Sequence, residues 1–303
     1  MTWILIALIP PFLYSISNFL DEFLIEKYTK QDGIGSLILF SGLFGIIVAP
    51  IIAFFVPDVF SISINNILIL VSVGILNVLY VLLYLYAMES DEATVVAPLY
   101  QLIPVFGFFL GWSILGEVLD LRQIIGSAII VFGGLIIALD LELSQGLGFK
   151  VKPFLLMAGA SFIAALTEIL FKVAAIPDTF WVSSFWNYIG FIIISVILFF
   201  AVKSYRRSFI NMLKNNTNKV LGLNFGNEII TGAGDLILRL VLLFIPVFLV
   251  QTVVSTQPIF ILLIGIILTI FFPKISKQKI YGKHLVHKII AILIIVLGGI
   301  LIV

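Results

Sequence analysis

Residues 67–87 read ILILVSVGILNVLYVLLYLYA, a stretch that contains no charged side chain. A helix rises about 1.5 Å per residue, so about 20 apolar residues cover the hydrocarbon core of a bilayer. The sequence therefore predicts an all-α integral membrane protein with ten transmembrane helices. The other nine segments of this kind lie at 2–20, 34–56, 92–115, 122–140, 153–175, 181–202, 220–244, 247–272 and 286–303.

The composition excludes most other classes of protein. Of the 303 residues, 62% are apolar and 11% are charged, and a soluble domain of this size cannot bury so much apolar surface. The 28 phenylalanines argue against disorder, and the lack of cysteine excludes disulfides and thiolate metal sites. A net charge of +1 gives no indication of a nucleic-acid partner. No phosphate-binding loop is present, so neither an ATP motor nor any cofactor is predicted.

The distribution of lysine and arginine predicts the orientation. The connections that follow segments 1, 3, 5, 7 and 9 hold 14 of the 17 basic residues. Because basic connections stay on the cytoplasmic side, we expect a multi-pass protein of the cell membrane with both termini outside. These residues are Lys27, Lys30, Lys150, Lys152, Lys203, Arg206, Arg207, Lys214, Lys219, Lys274, Lys277, Lys279, Lys283 and Lys288.

The two halves of the chain, 1–145 and 146–303, resemble each other. The stretch LIPVF at 102–106 corresponds to TQPIF at 256–260, and VFGGLI at 131–136 corresponds to VLGGIL at 296–301. Each half contains five segments, an odd number, so the second copy must be inverted relative to the first. Inverted repeats are typical of alternating-access carriers, whose solute site lies between the repeats near mid-membrane.

Prolines occur inside two of the predicted helices. Pro98 and Pro104 fall in segment 4, and Pro258 falls in segment 9, its counterpart in the second half. A proline inside a helix removes a hydrogen bond and kinks the helix, so these positions predict hinges or carbonyl groups that line a path. A kink that only serves helix packing is the alternative.

The motifs of segments 4 and 5 resemble those of a known family. EATVVAP at 92–98, LIPVF at 102–106, Gly116-Glu117 and the glycines at 126, 133 and 134 are similar to the ten-span EamA-type branch of the drug/metabolite transporter superfamily. The resemblance implies a carrier and not an enzyme, and it leaves the substrate open. The second half departs from the pattern, because Phe271-Phe272-Pro273 stands where Gly-Glu is expected.

Ionisable side chains inside two segments are candidate site residues. Glu168 and Lys172 are one turn apart, and Glu228, Asp235 and Arg239 lie on one stripe of segment 8. One interpretation is a polar cavity whose carboxylates bind solute or exchange protons. The alternative is that Glu168–Lys172 and Asp235–Arg239 are internal pairs that hold helices together. Glu228 has no basic residue one turn away, which favours a functional role.

Neutral polar groups at similar depth complete the predicted substrate site. Any one of them could simply bond a neighbouring helix, but their convergence in both halves favours a shared cavity that Glu228, Asn77 and Trp186 should face. Aromatic rings beside amides suit a small polar solute with an apolar or cationic part. These residues are Asn18, Asn77, Tyr80, Tyr84, Gln101, Trp186, Asn187 and Gln257.

The sequence thus predicts secondary transport, in the direction of export, of a small polar metabolite such as an amino acid or amine. Alternating access would move the solute, and proton exchange is a hypothesis for its coupling. The expected partners are the solute, the lipid bilayer and protons; the oligomeric state stays open. The alternatives are a membrane-embedded enzyme acting on lipid-linked substrates, and a channel or scaffold without transport activity.

Overall fold

The computed structural model describes the greater part of the chain. The described residues are 2–26, 34–116, 120–137, 139–140, 148–175, 180–215, 218–244, 250, 253–254, 256–273 and 282–302. Glu117, Lys27, Lys30, Lys274, Lys277 and Lys279 lie outside these ranges.

Helices dominate the described residues. They are α1 Thr2–Ala7, α2 Ile9–Leu24, α3 Gly35–Leu43, α4 Gly45–Phe55, α5 Ile64–Ser90, α6 Ala93–Val96, α7 Leu102–Leu115, α8 Leu121–Ile137, α9 Val151–Ala175, α10 Phe180–Ala201, α11 Lys203–Asn215, α12 Asn218–Phe244, α13 Gln257–Phe271 and α14 Gly282–Ile302. Two 3-10 turns cover Pro57–Phe60 and Ala97–Gln101. Strands β1 Leu139–Asp140 and β2 Gly148–Phe149 pair antiparallel, with Leu139 opposite Phe149.

Every predicted segment contains a helix, and six helical stretches of the described residues are long and apolar enough to cross a membrane. α12 has 27 residues but is not among these stretches. The protein is therefore an all-helical, multi-pass membrane protein, and the count of ten spans stays a prediction. The six stretches are Gly35–Phe55, Ile64–Ser90, Ala93–Ile114, Val151–Ala175, Phe180–Ala201 and Gly282–Leu301.

Local sequence sets several helix ends. Ser63 is the N-cap of α5, because its hydroxyl accepts a hydrogen bond from the Asn66 backbone amide. Gly116 ends α7 with a φ of 70°, a conformation that glycine adopts without steric cost. Pro98 lies in the 3-10 turn between α6 and α7 and so interrupts segment 4, as predicted. Pro258 instead lies in the first turn of α13, where a proline fits the helix and removes no internal bond.

The outer surface is apolar and the interior is mixed. Large side chains such as Phe54, Phe200 and Phe271 are exposed on the outside. Fully buried residues from α2, α3, α5 and α9, among them Leu24 and Leu85, form the main hydrophobic cluster. An exposed apolar surface of this extent fits hydrocarbon chains and not water.

Glycines allow two helix pairs to approach closely. A Cβ atom at Gly298 of α14 would lie 2.8 Å from the carbonyl oxygen of Gly126 in α8. At the crossing of α5 and α10, a Cβ atom at Gly190 would lie 2.8 Å from the Cα atom of Gly74. Small residues at such crossings are typical of membrane helices.

Ion pairs cluster where three predicted connections meet. Lys150, just before α9, lies 2.8 Å from Asp91, which follows α5. The buried amine of Lys288 in α14 donates to Glu92 and to Thr94, each at 2.6 Å. These contacts tie the start of α6 to the residue before α9 and to α14.

Candidate functional site

A central cavity of about 220 Å³ lies between helices from both halves of the chain. Its volume is below the ~300–1,000 Å³ of typical ligand pockets, which favours a small solute. Ten of the twelve residues predicted for the substrate site line it. They are Asn18, Asn77, Tyr80, Tyr84, Gln101, Glu168, Glu228, Asp235, Arg239 and Gln257.

Trp186 and Asn187 do not line this cavity. The indole nitrogen of Trp186 donates to the carbonyl oxygen of Val59 at 2.7 Å, and its ring packs beside Phe60. Trp186 therefore anchors α10 to the turn before α5, and the expectation that it faces the cavity is wrong. Asn187 is buried behind the wall, where its Oδ1 accepts a hydrogen bond from Asn77 at 3.1 Å.

The helix α12 contributes the longest polar stripe. Its residues Glu228, Thr231 and Asp235 recur every three or four positions, so they share one helix face. The Ser41 hydroxyl of α3 donates to Glu228 Oε1. Tyr14 donates to Asp235 Oδ1 at 2.6 Å. Both carboxyl groups are thus held in place by hydroxyl donors from the first half of the chain.

Thr231 supplies a third link of the same type. Its hydroxyl lies 2.8 Å from that of Ser17 in α2. α2 and α12 are therefore joined by polar contacts over more than one turn, and these contacts form one wall of the cavity.

A second polar group centres on Asp21, which lies near the end of α2. Asn227 Nδ2 donates to Asp21 Oδ1 at 2.7 Å. The Tyr84 hydroxyl lies 2.9 Å from Asp21 Oδ2 and 3.0 Å from Asn18 Oδ1, so the two acceptors share its proton. This arrangement orients both amides, and their other polar atoms, Asn18 Nδ2 and Asn227 Oδ1, are buried.

Three buried amide atoms of the lining have no hydrogen-bond partner among the described residues. They are Asn18 Nδ2, Gln101 Oε1 and Asn227 Oδ1, in side chains that are 5%, 3% and 4% exposed. A buried polar group without a partner costs about 1–3 kcal/mol. The lining therefore holds one buried donor and two buried acceptors whose hydrogen-bonding capacity is not used within the described residues.

The charges of the lining are mainly acidic. Asp21, Glu168, Glu228 and Asp235 supply four carboxyl groups, and Arg239 is the single basic residue of the described lining. The Arg239 guanidinium lies over the Phe171 ring, 4.7 Å from its centre. Lys172 does not line the cavity, although Glu168 does.

Aromatic rings surround these polar groups. The rings of Tyr84 and Tyr100 lie 5.4 Å apart with an angle of 33° between their planes. Tyr80 and Tyr188 add further rings to the lining. Such a wall can contact apolar carbon and attract positive charge.

Sequence reasoning missed several lining residues, above all Asp21, Ser41 and Asn227. Asp21 follows Asn18 by three positions and therefore shares its helix face. Asn227 lies on α12 directly before Glu228, and Asn224 lies three positions before Asn227. The helical spacing of Asn224 and Asn227 could therefore have indicated that they share a polar face. Ser41 gave no signal, because a single serine in an apolar helix usually bonds its own backbone.

No group of three or more His, Asp or Glu side chains within the described ranges is arranged to hold a metal ion. The chemistry of this cavity is hydrogen bonding, charge and ring contact.

Comparisons with known proteins agree with these features. A crystal structure of a protein, one of 26 matching chains of known structure, superimposes with a TM-score of 0.51 at 12% identity, covering 96% of this chain and 95% of that chain. This likeness shows the fold alone. The sequence matches none of the curated proteins.

The model of the EamA-like transporter family matches residues 1–139. This range includes α2, α3, α5 and Gln101, and so about half of the cavity wall. Over these residues the match agrees with the resemblance to the drug/metabolite transporter superfamily. Over residues 1–139, the chain is therefore similar to the EamA-like transporter family.

Proposed function

We propose that the protein is a secondary transporter that exports a small polar metabolite, such as an amino acid or amine, by alternating access. One observation carries the proposal: helices of both halves line a cavity, and three buried amide atoms of its lining have no hydrogen-bond partner among the described residues. A scaffold would gain nothing from three such atoms, each of which lowers stability. A bound solute or its water would satisfy them.

Helix packing supports two repeats, 1–145 and 146–303. α5 packs on α9 and α2 packs on α12, which are equivalent pairs when the halves are exchanged. α7 on α9 corresponds in the same way to α13 on α2. The pairs α8–α14 and α4–α10 each map onto themselves. This exchange pattern is what a two-fold relation between repeats would produce, and in the proposal the cavity lies at their interface.

The lining supports an amine or amino acid as solute. Asp21 and Asp235 offer negative charge to an ammonium group, and Asn227 Oδ1 and Gln101 Oε1 are unpartnered acceptors for its protons. Arg239 and Asn18 Nδ2 offer donors that a carboxylate can accept from. The tyrosine rings would contact the carbon skeleton.

Solute transport is proposed to be coupled to the movement of protons in the opposite direction. Glu228 and Asp235 reach the same cavity and are each bound by one hydroxyl group. A carboxylate that binds an ammonium in one state can bind a proton in the other. Because both would occupy the same oxygen atoms, solute and proton would exclude each other, which is the condition for exchange.

The orientation is proposed from the basic connections, which we place on the cytoplasmic side of the cell membrane with both termini outside. The cluster of Lys150 and Lys288 with Asp91 and Glu92 supports this, since it brings three such connections to one place. An odd number of membrane crossings between two connections would put them on opposite sides of the membrane, where they could not touch.

The test is transport by purified protein in vesicles. Radiolabelled amino acids, amines, sugars and organic acids are loaded separately, and their movement is measured with and without an imposed pH gradient. We expect an amino acid or amine to be transported. A pH gradient should accelerate this transport, and protons should move in the opposite direction. Failure to move any member of the panel, in either direction and at any gradient, would contradict the proposal.

A further inference from the structure

α11 stands apart from the cavity and follows a membrane span directly. The candidate span Phe180–Ala201 ends two residues before α11 begins at Lys203. Its composition is much more polar than that of the span, with the sequence KSYRRSFINMLKN. A polar helix attached so closely to the end of a span lies at the level of the lipid headgroups.

One face of α11 is fixed against the protein. The Tyr205 hydroxyl lies 2.7 Å from that of Tyr86 in α5. Burial and this hydrogen bond raise the pKa of Tyr205 above its ordinary value, so the phenol stays neutral. A Cβ atom at Gly35 would lie 2.7 Å from Tyr205 Cα, so α11 also contacts the start of α3. Ser208 and Met212, one and two turns further along, are buried on the same face.

The opposite face is basic and exposed. Lys203, Arg207 and Lys214 are spaced by four and seven residues, so they fall on one stripe of the helix. All three are exposed, and α11 contains no acidic residue. Beside the stripe, Ile210 and Leu213 are 36% and 45% exposed. The face therefore combines positive charge with apolar side chains, as helices that lie in a membrane interface do.

These basic groups are free to bind a ligand. No ion pair in the described part of the chain involves Lys203, Arg207 or Lys214. Three unpaired cations on one side of a helix repel each other, and a negatively charged surface removes this cost. The adjacent apolar side chains favour a surface that also offers acyl chains.

We propose that the exposed face of α11 binds the headgroups of anionic phospholipids. The basic stripe would contact phosphate, and Ile210 and Leu213 would enter the boundary between headgroups and acyl chains. Through Tyr205 the bound lipid would act on the ends of α3 and α5, two helices that line the cavity. The binding itself does not depend on the solute or on transport.

The test compares two lipids at the surface of the reconstituted protein. Spin-labelled phosphatidylglycerol and phosphatidylcholine are added separately to phosphatidylcholine vesicles, and the fraction of immobilised label is measured by electron spin resonance. We expect phosphatidylglycerol to be enriched, with each contacting cation contributing up to about fivefold. Raising the salt to about 1 M should abolish the enrichment, because the screening length falls to about 3 Å.

A matched pair of variants assigns the effect to α11. The variant K203Q/R207Q/K214Q should lose most of the enrichment. The control R122Q/K152Q/K283Q removes the same charge from three other exposed positions and should keep it. The proposal would be overturned by equal enrichment of both lipids on the wild type, by equal losses in the two variants, or by full displacement of the lipid by 10 mM inorganic phosphate. If the triple variant fails to fold, the single variants K203Q, R207Q and K214Q replace it, and each should lose part of the enrichment.

Discussion

Gln101 lies in the cavity wall with its Oε1 atom buried and unpartnered among the described residues. Such an atom lowers the stability of the folded state by about 1–3 kcal/mol unless a ligand satisfies it. Proteins keep groups of this kind where function requires them. The proposed transporter uses it as an acceptor for the solute.

The substitution Gln101→Leu tests this role. It removes the unpartnered carbonyl at similar size, so we expect the thermal unfolding midpoint in detergent to stay the same or rise. Transport in vesicles should fall by about tenfold, the effect of losing a hydrogen bond of ~1.4 kcal/mol. Ser195→Ala is the control, because the Ser195 hydroxyl in α10 is also buried and unpartnered among the described residues, but Ser195 is not part of the lining. It should leave transport unchanged; a Gln101 variant that transports at the wild-type rate would contradict the assignment.

For single residues, the sequence predicted which side chains line the cavity better than it predicted their hydrogen-bond partners. Spacing on one helix identified Glu228 and Asp235, because their face follows from the helical period. It could not identify Ser41 or Tyr14 as their donors, since these contacts join residues about 200 positions apart in the chain. Trp186 was misplaced because periodicity gives a side chain's face but not the neighbour that the face meets.

The helices pack closely where glycines replace side chains, and the crossing of α5 and α10 is the clearest example. At Gly190, a Cβ atom would meet the backbone of α5, including the Val71 carbonyl oxygen and the Gly74 Cα atom. Backbone atoms cannot rotate away as a flexible side chain can. A side chain at Gly190 would therefore force α5 and α10 apart where they cross.

We expect Gly190→Ala to lower the free energy of unfolding by about 1–3 kcal/mol, the usual cost of overpacking. Gly107→Ala is the matched control, because nothing lies within 4 Å of a Cβ atom built there. The control should be neutral or stabilising by up to about 1 kcal/mol, since alanine favours the helix. The measurement is thermal unfolding followed by circular dichroism. Equal midpoints for the two variants would refute the close packing of α5 on α10.

The sequence predicted helix positions well because apolar length alone determines where a chain can cross a bilayer. It gave no account of α11, which was read only as a basic connection, since its apolar residues are few. Pro258 was predicted to interrupt the helix of segment 9, because the sequence alone does not distinguish the first turn of a helix from its interior. The start of α13 at Gln257 decides between them.

At the scale of the whole molecule, the proposed orientation can be measured directly. The chain has no cysteine, so each introduced cysteine is the single thiol of its variant. Asp58 is exposed in the turn before α5, and Ser204 is exposed in α11. Under the proposed orientation these positions lie on opposite sides of the membrane.

Intact cells that carry Asp58→Cys should react with a membrane-impermeant maleimide, whereas Ser204→Cys should react only after permeabilisation. The reason is that α11 belongs to the basic, cytoplasmic side. Gel-shift labelling before and after permeabilisation measures both. Labelling of Ser204→Cys in intact cells would reverse the orientation, and labelling of both positions from one side would refute the count of crossings between them.

The central claim is that the cavity between the two halves carries the solute and that its carboxyl groups take part. The most direct test is the initial rate of transport by Glu228→Gln and Asp235→Asn in vesicles, compared with Glu89→Gln, whose side chain is exposed at the end of α5. Each amide keeps the size of the acid and removes its charge. We expect both cavity variants to lose at least about tenfold in rate, or ~1.4 kcal/mol, and to lose their response to a pH gradient, while Glu89→Gln keeps both. Wild-type rates and unchanged pH dependence in both cavity variants would contradict the account.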